Sequence, residues 1–255
     1  MTSLVEQFDV TIRSKDDIAR AAEALRQAGE AMGGFRVAPC DNISSKQPMQ
    51  DAEGNIIAES VFGWTAEHER WWANPRLALV SPMPRACRYE SEPFWCNTRG
   101  FYCRQPNPYL ADLDLADFEK RACVRAAIVV PVHLPLGQIG AISFCPTDGR
   151  EDLTDVFERY ADDLQLMSHR FISGYVKTQR NPRWVPSDCQ LTKREVECLR
   201  WAAIGKTDRE ISMILSRSHA TIRFHIKNAG EKLNTVNRSQ TIFKAAQLGY
   251  LGLAA

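Results

Sequence analysis

The segment from Leu191 to Leu251 constrains the fold more tightly than any other part of the chain, because its polar residues fall where helix ends need them. Thr192 with Glu195, and Thr207 with Glu210, have the spacing of capping boxes. In that arrangement the Thr oxygen accepts from an orphan backbone N–H and the Glu reaches back to the cap. Ser218 can cap a third helix, and Asn237 with Gln240 a fourth. Gly205 stands where the first helix has to stop, since a left-handed residue there is least strained as glycine. Apolar residues then recur at helical spacing. They are Val196, Leu199 and Ala203, then Ile211, Ile214 and Leu215, then Ile222, Ile226, Ala229 and Leu233, and last Ile242, Ala245, Ala246 and Gly249. Four short helices, each apolar on one side, are expected to pile those sides together.

The second and third of these helices are joined only by Ser216 and Arg217. So short a connection predicts a sharp crossing of the helix-turn-helix kind. The third helix then presents Thr221, Arg223, Lys227, Asn228 and Glu231, with Arg223 and Lys227 one turn apart and side by side. A helix fits the major groove of duplex DNA, and Arg can hold guanine O6 and N7 in a bidentate manner. Lys206, Arg209, Arg217, His219 and Lys232 suit phosphates, a contribution that weakens with salt. From residue 191 onward there are 11 Lys/Arg against 5 Asp/Glu, a net of +6. Residues 1–190 carry 21 against 26, a net of −5. An acidic body with a basic tail suits a nucleic-acid binder with a separate sensor. Patterning alone also allows a small helical domain with a solvated charged face.

The segment closely resembles the LuxR-type helix-turn-helix of quorum-sensing regulators and response-regulator output domains. The residues that carry the resemblance are Leu191, Thr192, Arg194, Glu195, Gly205, Lys206, Thr207, Glu210, Ile211, Leu215, Ser218, Thr221, Ile222, His225, Asn228, Lys232, Leu233, Asn237, Arg238 and Gly249. The resemblance implies that the third helix enters the major groove, that Arg223 and Lys227 stand at base-contacting positions, and that the fourth helix supports dimer contacts. It also implies a structural role for His225.

The preceding residues read as an α/β (α+β) domain with an antiparallel sheet. Ser14 to Met32 is predicted to be an amphipathic helix with Ile18, Ala22, Leu25, Gly29 and Met32 on one stripe, opened by a Ser14/Asp17 capping box. Strands are predicted at Gly34–Pro39 and Asn55–Phe62, with a polar loop, Ser44–Gly54, between them. Thr65–Ala73, Pro82–Tyr89 and Leu115–Cys123 read as short helices, and Asn97–Leu113 as an irregular loop. Arg125–His133 and Gln138–Cys145 read as an antiparallel hairpin whose second strand alternates, with Ile139, Ala141, Ser143 and Cys145 on one face. Leu153–Tyr175 is a long helix with large apolar residues at 153, 157, 160, 164, 167 and 171. That seam spacing suits packing within the domain or against a second copy. The chain is thus expected to consist of a sensor and dimerisation domain (1–178), a Pro-containing linker (179–190) and the helical domain (191–255).

No phosphoacceptor pattern is present at the N-terminus. Residues 15–175 instead resemble the autoinducer-binding domain of LuxR-type receptors, on Trp64 to Trp95, on Val129-Val130-Pro131 and on the hairpin with Gly137 and Gly140. The resemblance implies an α/β/α sandwich holding an acyl-homoserine lactone. Phe62, Trp64, Trp71, Trp72, Phe94, Trp95, Phe101 and Tyr102 could line such a pocket or simply fill a core. Pro82 and Trp95 are retained, Trp95 with a one-residue shift. The acidic position before the proline holds Ser81, the Trp and Tyr positions fall nearest His68 and Trp72, and a family glycine falls at Ala127. A neutral Ser accepts a hydrogen bond more weakly than a carboxylate. The candidate ligand residues are therefore Trp64, His68, Trp72, Ser81 and Trp95, with a ligand other than the ordinary lactone.

Eight cysteines show no zinc-site spacing and read as reduced, mostly structural thiols, with Cys103 and Cys189 in loops as possible redox sensors. No run of about 18 apolar residues predicts a membrane span, and no secretory signal opens the chain, so a cytoplasmic protein is expected. No nucleophile elbow, phosphate loop or metal cluster occurs, and the Asp112, Asp114, Asp117 cluster reads as a solvated loop. The expected function is a dimeric transcription regulator, homodimeric or paired with a relative. It would bind double-stranded DNA and answer to a small signalling molecule, with no metal, no other cofactor and no enzymatic activity. The alternative is a ligand-independent regulator whose first domain serves dimerisation or protein interaction.

Overall fold

The computed structural model describes residues 3–45, 47–73, 80–179 and 190–252. The chain divides into two compact units, an N-terminal one of Met1–Leu134 and Gln138–Arg180 and a C-terminal one that takes in Asn181–Ala255. The expected linker, 179–190, lies outside the described residues except at its two ends.

The N-terminal unit is built on a five-stranded antiparallel sheet in the order β1-β5-β4-β2-β3. The strands are β1 (Phe35–Cys40), β2 (Phe94–Asn97), β3 (Gly100–Cys103), β4 (Ala126–His133) and β5 (Ile139–Pro146). The predicted hairpin forms β4 and β5, with Val129 opposite Ser143. One sheet face, with Val37, Phe144 and Ile142, packs on α2 (Asp17–Ala31) and α7 (Thr154–Gln179), and α1 (Leu4–Gln7) lies on α7. The approach is closest at Gly140, where an added Cβ would come 2.7 Å from Ile172 Cγ2. Most of the expected seam is used here: Leu153, just before α7, and Phe157, Leu164, Met167 and Phe171 on it are buried in this unit's own core, while Tyr160 is partly buried. The opposite sheet face is covered by short pieces: α3 (Ile57–Ser60), two 3-10 turns (Glu67–Glu69 and Trp71–Ala73), α4 (Pro82–Ala86) and α6 (Phe118–Ala122).

Several sequence expectations for this unit need correction. Asn55–Phe62 is a helical turn and not a strand. Ile57, Ala58 and Phe62 are buried, a helical spacing, and the Val61 and Phe62 amides both bond to Ile57 O. Thr65–Ala73 forms only the two 3-10 turns. The expected loop 97–113 contains strand β3 and α5 (Pro108–Ala111). The Asn97 side chain closes the β2–β3 hairpin by accepting from the Arg99 and Gly100 amides, so an Asn read as a loop signal is a turn inside a sheet. At α2 the cap works in one direction only: the Asp17 carboxylate accepts from the Arg13 and Ser14 amides, while the Ser14 hydroxyl donates to that carboxylate.

The C-terminal unit consists of α8 (Lys193–Ala203), α9 (Asp208–Ile214), α10 (His219–Lys232) and α11 (Arg238–Gln247). Both capping boxes are formed, and Ser218 and Asn237 cap as the sequence indicates. Gly205 has φ +97°, and the following Lys206 amide closes onto Trp201 O. Cys198, Ala202, Ile211, Ile222 and Ile226 form one small core, and Leu199, Ala229, Leu233 and Ala245 another. The phase of α8 differs by one residue from the expected stripe, so Ala202 is buried and Ala203 exposed. Ile214, Ala246 and Gly249 are also exposed. Gly249, at φ +79°, ends α11 and is not part of its core face.

Candidate functional site

Two arrangements could carry function, one in each unit. In the C-terminal unit, α9 and α10 meet at a tight corner. Ser216 has φ +50°, and the Arg217 amide bonds to Ser212 O at 2.9 Å. Ser218 Oγ then accepts from the Thr221 amide at 3.1 Å and contacts its hydroxyl at 2.8 Å, which fixes the first turn of α10. Beyond that turn Arg223 and Lys227 are exposed side by side, and Thr221 and Asn228 are half-buried at the edge of the same face. Lys227 lies 3.5 Å from Glu231 between two exposed side chains, a pair worth little in water. Phe224 shares this face and is 59% exposed. The sequence reading passed over it, although its place between Arg223 and His225 on the polar side of the helix was legible.

The expected phosphate contacts divide. Arg217, Arg209 and His219 are exposed, and no ion pair holds them among the described residues. Lys206 is shared with Glu210 at 3.2 Å. Lys232 has a structural task, since its ammonium lies 2.8 Å from the buried Glu195 carboxylate. The Arg238 guanidinium likewise bonds to Asp208 and, at 2.7 Å, to Lys206 O, tying α11 to the start of α9.

In the N-terminal unit a cavity of about 110 Å³ lies on the sheet face away from α7. Ala38, Cys40, Val129, Ala141, Ser143 and Cys145 form its floor. Trp64, Trp71 and Trp72 form a wall of rings set edge to face, with centroids 5.4 and 4.6 Å apart. The Arg36 guanidinium stacks over Trp64 at 3.9 Å and pairs with Glu69 at 2.7 Å, so the wall is braced from outside.

The expected ligand residues do not all meet here. Trp64, Trp72 and Ser81 line the cavity. The Trp64 N–H is already donated to Val37 O at 2.6 Å, which leaves only its ring to a ligand. Ser81 is 4% exposed, and its hydroxyl makes no capping bond to α4. His68 is exposed and is not part of the lining. Trp95 pairs with Ile128, on the α7 side of the sheet, and stacks on Tyr102 at 3.9 Å. A shift of one residue turns a strand side chain to the opposite face, which is why Trp95 misses the cavity.

The remaining polar lining is sparse. The Arg121 guanidinium, 16% exposed, is committed to Val80 O, Ala116 O and Asp114. Asp41, just beyond the end of β1, has its pKa raised by burial. The thiols on the lining are held neutral: burial pushes Cys40 and Cys145 up to about 12 and raises Cys87 and Cys123 as well. They serve as small apolar surface. Cys103, expected in a loop, ends strand β3, and burial followed by Glu90 pushes it up to about 12, contrary to a redox sensor. Cys189 lies outside the described residues. No group of three or more metal-ligating side chains occurs among the described residues.

Two domain families match the chain. The autoinducer binding domain covers residues 18–174, and the family described as bacterial regulatory proteins, luxR family, covers 189–245. The transcriptional activator protein VanR of Vibrio anguillarum is 37% identical over 140 residues, 52% of this chain and 56% of VanR. That match spans only about half of VanR's length. The quorum sensing-dependent transcriptional regulator VjbR of Brucella abortus is 37% identical over 224 residues, 86% of this chain and 80% of VjbR. Among solved structures, SdiA of Escherichia coli matches at 27% identity over 71% of this chain and 72% of its own, with a TM-score of 0.39.

Proposed function

The chain belongs to the luxR family of bacterial regulatory proteins and carries an autoinducer-binding domain, and from that premise we propose that it is a sequence-specific transcription regulator controlled by a small molecule held in the N-terminal cavity. The exposed side of α10, with Arg223, Phe224 and Lys227, carries this reading. In this reading Arg223 donates to a guanine edge, Phe224 covers a thymine methyl, and Lys227 reaches an adjacent base or phosphate. Arg217, Arg209 and His219 supply the electrostatic part of the affinity. The relatives are named as regulators of transcription and not as enzymes, and no catalytic role is assigned to any residue.

The small-molecule reading is supported by the apolar floor and tryptophan wall of the cavity. Ser81 at the acid's position, and Trp64 with its N–H already used, favour a ligand held differently from the ordinary lactone. Two copies are expected on the DNA. Exposed Val236 and Phe243, beside and on α11, suit contacts between the two copies. No described helix is long and apolar enough to cross a membrane, and a cytoplasmic site of action follows from the proposed DNA target.

Binding of the full chain to duplexes selected from a random pool tests this function. Recovery of a two-fold symmetric site with half-sites about one helical turn apart is the expected result. Equal affinity for all duplexes would contradict it.

A further inference from the structure

We infer, on the reading of the cavity as the ligand site, that Tyr175 carries the occupancy of the cavity to the end of α7, so that a ligand alters DNA binding through the Tyr175 hydroxyl and the wall segment bonded to it.

One wall of the cavity is the chain that leaves β1. Asp41, Ile43, Ser45, Gln47, Pro48 and Met49 all belong to the lining. This segment is fixed where it starts. The Ile43 amide donates to Ile139 O and the Gln138 side chain to Asp41 O, both at 2.9 Å. At its far end the Ile57 amide donates to Met49 O at 3.1 Å. The next amide, that of Gln50, donates to Tyr175 Oη at 2.9 Å, across 125 residues of sequence. That last bond joins the wall to a helix on the opposite face of the sheet.

Tyr175 is not part of the lining, so it acts through the wall and does not touch a ligand. It is buried, and it stands in the last turns of α7, which ends at Gln179. The Thr178 hydroxyl donates to Tyr175 O at 2.7 Å within the same turn. Next to it Gly174 lies close against the N-terminal chain, where an added Cβ would come 2.7 Å from Ile12 O, and Val176 is buried in the core. Burial and the nearby Asp41 both raise the Tyr175 pKa, so the phenol stays neutral and feels both ends of the wall segment.

The last carbonyls of a helix lack partners within it, and a helix end stays ordered only as far as its surroundings hold it. A ligand against Pro48 and Met49 supports the wall from inside. The wall then keeps the Gln50 amide on Tyr175, and the phenol keeps the last turn of α7 in place. From Gln179 the chain runs on to the C-terminal unit, so the order of this turn sets where the tether begins. A ligand shifts such an equilibrium only as far as it binds the two states unequally, here the turn held and the turn released.

The test uses the full chain, the duplex selected from the random pool, and N-octanoyl homoserine lactone and methyl octanoate as probes. Fluorescence anisotropy gives the DNA affinity with and without probe, and the ratio of the two is the coupling. At least one probe should change the DNA affinity of the unaltered protein by about fivefold or more. In Tyr175→Phe that ratio should shrink at least about threefold, while probe binding without DNA and DNA binding without probe are retained. Val176→Ala truncates a buried neighbour in the same turn. It should lower the thermal midpoint and leave the ratio as it is. Amide hydrogen exchange of the unaltered protein needs no variant, and the probe should slow Gln50 and residues 172–179 together. An unchanged ratio in Tyr175→Phe would overturn the inference. So would an equal loss of coupling in Val176→Ala, slowing at Gln50 without slowing at the helix end, or a probe that binds the unaltered protein and leaves its DNA affinity unchanged. Failure of both probes to bind would instead count against the cavity as a ligand site, and the inference would fall with it.

Discussion

The Lys232 ammonium lies 2.8 Å from the Glu195 carboxylate, whose side chain is only 3% exposed. The same carboxylate accepts from the Thr192 amide at 2.7 Å, so one buried group closes the N-terminus of α8 and holds the last turn of α10. Removing one partner of such a pair leaves a buried charge short of a donor. Lys232→Gln is expected to lower the stability of the C-terminal unit by about 2 kcal/mol, measured by urea unfolding of the full chain. The salt dependence of DNA binding should stay as it is in the unaltered protein. A shallower salt slope with normal stability would restore Lys232 to the phosphate contacts.

The capping carboxylates make the same unit acid-sensitive. The Thr207 amide, then its hydroxyl and Lys206, lower the Glu210 pKa from 4.5 to about 2, and Lys232 and Thr192 lower that of Glu195. A carboxyl depressed on folding contributes stability that is present above its unfolded pKa and is lost as pH falls through the folded one. Stability should therefore hold from pH 7 down to about 4.5 and decline from there toward pH 2. Glu210→Gln should show a shallower decline over that interval in pH-dependent urea midpoints. An unchanged slope would remove Glu210 from the cause.

Gly140 sits where α7 and the end of β1 close on the sheet. A Cβ there would meet Ile172 Cγ2 at 2.7 Å, Cys40 O at 3.0 Å and Asp41 O at 3.1 Å. Two of these neighbours are backbone, so the strain has little room to relax. Gly140→Ala should cost about 1–3 kcal/mol, read as a lower thermal midpoint of the full chain. An unchanged midpoint would show that the helix and the strand end can give way.

On DNA, Arg217→Ala is expected to weaken binding about equally on all duplexes and to reduce the salt slope by about 1. Phe224→Ala should act differently, with its loss confined to sites where a thymine stands under α10. Replacing that thymine by uracil, which lacks the methyl, should weaken the unaltered protein and leave Phe224→Ala unaffected. A uracil effect of equal size in both proteins would place Phe224 off the bases.

The C-terminal unit was legible in the sequence because its signals are local. Thr192, Thr207, Ser218 and Asn237 cap the helices that follow them without help from distant residues. Where the reading failed there, at Ala203 and Ile214, a helical stripe was placed one residue off or drawn too wide. The N-terminal unit was harder. Asn97 and the Pro-rich stretch after it carry turn chemistry whether they lie in a loop or in the corners of a sheet, and only pairing with β4 decides for β2. The ligand residues depended on strand register, where Trp95 and Cys96 differ by a face.

The central claim is that the exposed side of α10 reads bases. Fluorescence anisotropy with the selected duplex and with single-base variants at each guanine under α10, for the unaltered protein and for Arg223→Ala, tests it most directly. Arg223→Ala is expected to lose about 1–3 kcal/mol of discrimination at one guanine in each half-site and to keep its discrimination elsewhere. Discrimination by Arg223→Ala that matches the unaltered protein at every guanine would contradict the placement of this helix in the groove.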